Sequence, residues 1–158
     1  MLAVGNNFDG WNHLYSKANR RIKTEMEAHM VSTILGISAG AAIGALSRWG
    51  LALLLNALFP PLALGTLAAN LIGCFLMGLI LGAGAALPQW DPAWRTPMVT
   101  GFLGALTTFS TFAAEVVLLM EEGRPIWAAL NIVAHLGGCL LMVFAGMACA
   151  ALLRRMAT

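Results

Sequence analysis

One stretch concentrates the polar chemistry of an otherwise apolar chain: Gly101-Phe102-Leu103-Gly104-Ala105-Leu106-Thr107-Thr108-Phe109-Ser110-Thr111-Phe112-Ala113-Ala114-Glu115. Its glycines are unfavourable in a helix, and its Ser and Thr hydroxyls compete for backbone groups, so a helix is weak here. If such a backbone opens inside a membrane, its carbonyls must be buried or must bind something. Carbonyls turned towards one point coordinate a small hard cation. Phe109 and Phe112 are three apart and share a helix face. A phenyl ring has a negative face and a positive edge. Two edges aimed at one pore therefore attract an anion that the faces would repel. The same spacing equally suits a lipid-facing or core surface.

Other polar groups stand in apolar surroundings. Arg48 interrupts a run that is uncharged from residue 30 to 47 and again from 49 to 90. It either faces a protein interior or snorkels to an interface. Asn70 sits in Gly65-Thr66-Leu67-Ala68-Ala69-Asn70-Leu71-Ile72-Gly73, placed to line a pathway or to hydrogen-bond across helices. Asn131, His135 and Cys139 follow one another at four-residue steps, a polar stripe along one helix face. Cys74, Cys139 and Cys149 are odd in number and show no metal-ligand spacing along the chain, so they read as small apolar residues.

The elements that hold these groups follow from composition. Of 158 residues 59% are hydrophobic and 10% charged, with mean hydropathy +0.80. A soluble domain carries about 25% charged residues. The supply here excludes a disordered chain, a nucleic-acid-binding domain and almost any soluble enzyme of this length. No nucleophile–base set is visible. The net charge of +2 is too small to imply a polyanionic partner. A spanning helix needs about 20 apolar residues. The uncharged runs predict an all-α membrane protein with four helices at about 32–58, 62–86, 96–120 and 125–153. Pro60-Pro61 divides the first two. Residues 87–95 form a loop whose two tryptophans suit the interfacial belt. Glu121-Glu122-Gly123-Arg124 is a tight polar turn, with Pro125 at the first position of helix 4. Gly36, Gly40 and Gly44 lie on one face of helix 1, and Gly78 and Gly82 on one face of helix 2, where another backbone can approach closely. Residues 1–29 form a polar extension, and residues 30–158 the membrane domain. The extension is a short surface helix at 14–28, or translation begins at Met30 or Met26.

The glycine pattern of helix 1 through Arg48-Trp49, the Gly65–Gly73 stretch and the 101–115 motif together resemble the Fluc/CrcB fluoride channel family. The resemblance covers about residues 30–153. It implies four-helix subunits, helix 3 broken in mid-membrane, and an antiparallel, dual-topology homodimer in the plasma (inner) membrane of a bacterium. It implies passive export of fluoride from the cytoplasm, which lowers fluoride toxicity. It also implies a structural sodium ion at the dimer interface, held by backbone carbonyls at Gly104 and Thr107. By motif position the anion pathway falls on Asn70, Phe109, Phe112, Ser110 and Thr111, with Arg48 and Glu115 as the matching arginine and acid. Asn131 and His135 stand where relatives commonly carry Tyr and Ser. Fluoride is strongly hydrated, so donors must replace its water. Amide, hydroxyl and phenyl-edge hydrogens do so, and a nearby cation raises the local positive potential. Two other readings compete: a small four-helix multidrug or cation exporter, and a non-transporting membrane assembly subunit. The exporter needs a membrane-embedded carboxylate, and helix 1 carries Arg48 and no acid.

Charge bears on orientation. Without residues 1–29, three arginines (Arg95, Arg154, Arg155) face one (Arg124) across the membrane, a weak bias compatible with insertion both ways. With Lys17, Arg20, Arg21 and Lys23 the bias should fix one orientation. If dual topology holds, translation is expected to start near Met30. Intact-mass measurement on natively expressed protein checks this, and a peptide containing Asn6-Asn7 would contradict it.

Overall fold

The computed structural model describes residues 7–59, 61–84 and 92–157. All regular structure among them is helical: α1 Asn7–Leu55, α2 Leu64–Gly84, α3 Pro92–Thr96, a π-helical segment Pro97–Leu103, α4 Gly104–Leu106, α5 Phe109–Glu121 and α6 Pro125–Ala157. Among the described residues, the stretches His13–Leu55, Leu64–Ala83, Ala93–Glu121 and Pro125–Met156 are long and apolar enough to cross a membrane. Pro60 and residues 87–91 of the expected loop lie outside the described residues, and the rest of that loop, residues 92–95, is helical because Pro92 opens the short helix α3 at its first position.

The chain divides into two compact units, Met1–Leu35 and Gly36–Thr158. In the first, α1 begins at Asn7, far before the expected residue 32. The reason is local. No proline occurs before Pro60. Arg21 pairs with Glu25 at 2.9 Å and Lys23 with Glu27 at 4.0 Å, both at i,i+4 spacing. Ser32 and Thr33 fold their hydroxyls back onto the His29 carbonyl instead of capping a new helix.

In the second unit α1 stops at Leu55, slightly before the expected end. Asn56 Oδ1 accepts the Gly65 N–H at 2.8 Å, which draws the chain out of α1 and into α2. The glycine face of α1 meets backbone. A Cβ on Gly36 would strike the Pro97 ring, one on Gly40 the Pro97 carbonyl and the Phe102 amide, and one on Gly44 the Phe102 carbonyl. α2 and α6 pack parallel in the same way, Gly78 against the Val143 carbonyl and Gly146 against the Phe75 carbonyl. The buried centre is Ala69, Leu103 and Leu106, ringed by Leu51, Leu76, Met77, Ile80 and Phe102. Gly123, at φ 69°, supplies the left-handed residue that ends α5.

Polarity is distributed as in a lipid-facing protein. Leu53, Leu54, Leu140, Leu141 and Phe144 are exposed, whereas Thr66, Asn70, Asn131 and His135 are buried. Apolar side chains face outward at no cost only where the surroundings are apolar.

Close backbone approach predicts a selective cost. Gly78→Ala should destabilise the protein by about 1–3 kcal/mol through overpacking against Val143. Gly137→Ala, which meets nothing within 4 Å, should be neutral or stabilising. Thermal unfolding in detergent compares the two.

Candidate functional site

The helical path ends at Leu106 and resumes at Phe109. Thr107 (φ −83°, ψ 153°) and Thr108 (φ −152°, ψ 114°) are extended. Their sequence favours this, because both are β-branched and each hydroxyl has a local partner. Thr107 Oγ1 donates to the Leu103 carbonyl at 2.9 Å. Thr108 Oγ1 accepts the Thr111 N–H at 3.2 Å, an N-cap on α5.

Asn70 secures the interruption from α2. Its Nδ2 donates to the Thr108 carbonyl at 3.1 Å, and its Oδ1 accepts the Thr108 N–H at 2.8 Å. A continuous helix would aim the Thr108 N–H at the Gly104 carbonyl and the Thr111 N–H at the Thr107 carbonyl. Both donors are redirected, the first to Asn70 and the second to Thr108 Oγ1. The Ala105 carbonyl accepts from Arg48 Nε at 3.1 Å. Gly73 lets α2 come this close, since a Cβ there would collide with the Thr107 methyl.

A cavity of about 480 Å³ lies beside the interruption, lined by Asn70, Gly104, Thr107, Phe109, Phe112 and His135 among others. The phenylalanines differ: Phe112 is 5% exposed and Phe109 72%. Their rings meet edge to face, 5.4 Å between centroids at 64°. Phe112 also stacks on the His135 ring at 4.4 Å and 29°.

Not every residue singled out in the sequence joins this cavity. Ser110 and Thr111 are exposed on the first turn of α5 and bond to Thr108 Oγ1. Arg48 reaches the interruption through the Ala105 carbonyl, and among the described residues it forms no ion pair. Glu115 and Asn131 lie outside the cavity lining. Thr66 donates to Glu115 Oε1 at 2.6 Å, and His135 Nδ1 lies 3.1 Å from the Asn131 carbonyl. Among the described residues three buried atoms here find no protein partner: Glu115 Oε2, Asn131 Nδ2 and His135 Nε2. Buried groups of this kind call for water or an ion.

Sequence reasoning assigned no role to Thr108 or Thr66. Thr66 is four residues before Asn70 and so on its face of α2, a signal that was available. The Thr108 contribution is mainly backbone, which residue type does not reveal.

These features define a multi-pass membrane protein in which buried polar groups gather at an interrupted helix. Residues 35–147 match the family described as "CrcB-like protein, Camphor Resistance (CrcB)". The chain belongs to the CrcB family. It is similar to the fluoride-specific ion channel FluC of Pseudomonas putida, with 52% identity over 119 residues covering 75% of this chain and 94% of that protein. Its identity to the fluoride-specific ion channel FluC of Tolumonas auensis is 50% over 126 residues, covering 80% of this chain and 99% of that protein. The namesake protein of Variovorax paradoxus is 54% identical over 118 residues, covering 74% and 93% of the two chains.

Asn70→Ala would leave the Thr108 N–H and carbonyl without partners at a cost of about 2 kcal/mol or more. Amide hydrogen exchange should accelerate at residues 107–111 while the α2–α6 contact stays protected. Unchanged exchange at 107–111 would show that Asn70 does not hold the interruption.

Proposed function

We propose that the chain is a subunit of a fluoride-specific ion channel that lets fluoride leave the cytoplasm passively across a bacterial inner membrane. One observation carries this reading: Asn70 clamps both backbone groups of Thr108 beside a cavity edged by Phe109 and Phe112. That arrangement offers an anion hydrogens of the two kinds it can use, from polar donors and from phenyl edges. The names of the relatives agree with it.

The working channel is an antiparallel homodimer with the 107–108 interruption at mid-membrane. Support comes from the exposed Phe109 and Gly104, which lie on a face that a second copy would cover. Residues 30–158 make up this membrane domain, and residues 1–29 are a polar extension.

Fluoride sheds water onto Asn70 and the edges of Phe109 and Phe112 in the cavity, and onto the Ser110 and Thr111 hydroxyls on the exposed first turn of α5 outside it. Asn131 Nδ2 and His135 Nε2, buried and unpartnered, continue the route. Glu115 holds the Thr66 hydroxyl in place. The Arg48 charge, set against the Ala105 carbonyl, favours an anion nearby.

Gly104 and Thr107 suit a structural sodium ion. Their carbonyls are oxygen donors from which the interruption has withdrawn the helical N–H partners, Thr108 and Thr111. When bound, sodium adds fixed positive potential at the interruption.

Protein reconstituted in liposomes loaded with potassium fluoride should release fluoride when a potassium ionophore is added, and chloride-loaded liposomes should release little. Phe109→Ile and Phe112→Ile should each slow efflux about tenfold, the equivalent of one aromatic contact. Equal chloride release, or full flux in both variants, would overturn the reading.

A further inference from the structure

Two thiols remain outside this account. Cys74 on α2 and Cys139 on α6 line the same cavity. The register of the two parallel helices brings them level. Leu71 touches Gly138 and Gly78 abuts Val143, so Cys74 and Cys139 fall between the same pair of contacts. Both are half-buried and free, and Cys74 is the hydrogen-bonding neighbour of the Cys139 thiol. Spacing along the chain hides this pairing, because it is made across two helices.

Chemistry narrows what such a pair can hold. Among the described residues no group of three or more His, Cys, Asp or Glu is arranged to hold a metal ion. Zinc-type sites, which want four ligands, are therefore excluded. Soft d10 ions bind thiolates strongly and accept two in a line. Charge narrows the choice again. Two thiolates with a divalent cation make a neutral complex, which an apolar interior tolerates, whereas a monovalent ion leaves one net negative charge. Met77, one turn beyond Cys74, adds a soft thioether on the same cavity wall.

We propose that Cys74 and Cys139 form a two-coordinate dithiolate site for mercuric ion, which ties α2 to α6. Each thiol loses its proton, two S–Hg bonds form, and two protons leave to solvent. Asn70 lies one turn before Cys74 and His135 one turn before Cys139, so the bound ion also obstructs the fluoride route. That obstruction rests on the channel reading, and metal binding does not.

Mercuric chloride is titrated into purified Cys149→Ser protein, and remaining thiols are counted with a chromogenic disulfide. One equivalent per subunit should consume both thiols. In Cys74→Ala and Cys139→Ala, each made in the same background, a competing monothiol should strip the metal at about a hundredfold lower concentration, since one anchor of two is gone. Two equivalents for two thiols, or equal retention in the single-thiol variants, would overturn the site. The titration of the Cys149→Ser protein decides even if a variant misfolds. In liposomes, mercury should stop fluoride efflux through Cys149→Ser protein. Pair stoichiometry with unchanged efflux would overturn the obstruction alone, and absence of efflux before mercury would overturn only the channel reading.

Discussion

Two extended residues inside a hydrophobic protein pose a hydrogen-bonding problem on which the rest of this structure depends. Each backbone group that leaves the helical ladder must find another partner, because lipid offers none. Asn70 answers it with one side chain that both donates to and accepts from Thr108. Thr108 answers it again by capping α5 with its own hydroxyl. Arg48 takes the Ala105 carbonyl. The glycines serve the same end. Gly73 admits α2 to the interruption, and Gly40 and Gly44 seat α1 against the π-helical segment that precedes it.

The interruption then sets the chemistry around it. Carbonyls at Gly104 and Thr107 lose their helical donors, which suits a cation. The amide and phenyl hydrogens nearby suit an anion. The two preferences reinforce each other, because a fixed positive centre makes an adjacent anion site more favourable in a low-dielectric medium. Phe112 is held between Phe109, which it meets edge to face, and His135, on which it stacks.

Much of the fold was legible in the sequence because uncharged runs of membrane length leave few alternatives. The stretches around Asn70 and residues 101–115 stood out for the same reason: polar groups are costly there and need a purpose. What was hidden is equally physical. From Asn7 α1 runs unbroken through a segment whose mixed charge suggested a separate element, and there i,i+4 ion pairs support the helix. The π-helical segment Pro97–Leu103 packs against the glycine face of α1, a tertiary contact that residue type along the chain does not reveal. Asn70 could be read as a generic cross-helix hydrogen-bonder, and only the fold identifies its partner as the Thr108 backbone. Motif position groups Ser110 and Thr111 with Asn70, and the fold sets them on the exposed first turn of α5, where they share the Thr108 hydroxyl.

Three buried atoms have no protein partner among the described residues: His135 Nε2, on a residue that lines the cavity, and Glu115 Oε2 and Asn131 Nδ2, on residues outside its lining. In a purely structural assembly subunit these atoms would carry a desolvation cost that nothing offsets. The central claim is that the chain conducts fluoride and rejects chloride. The direct measurement is the reversal potential of current through the reconstituted protein in a planar bilayer, with fluoride on one side and chloride on the other. The account predicts a potential displaced far in the direction that fluoride permeability alone would set. A reversal potential near zero, or one displaced towards chloride, would contradict it.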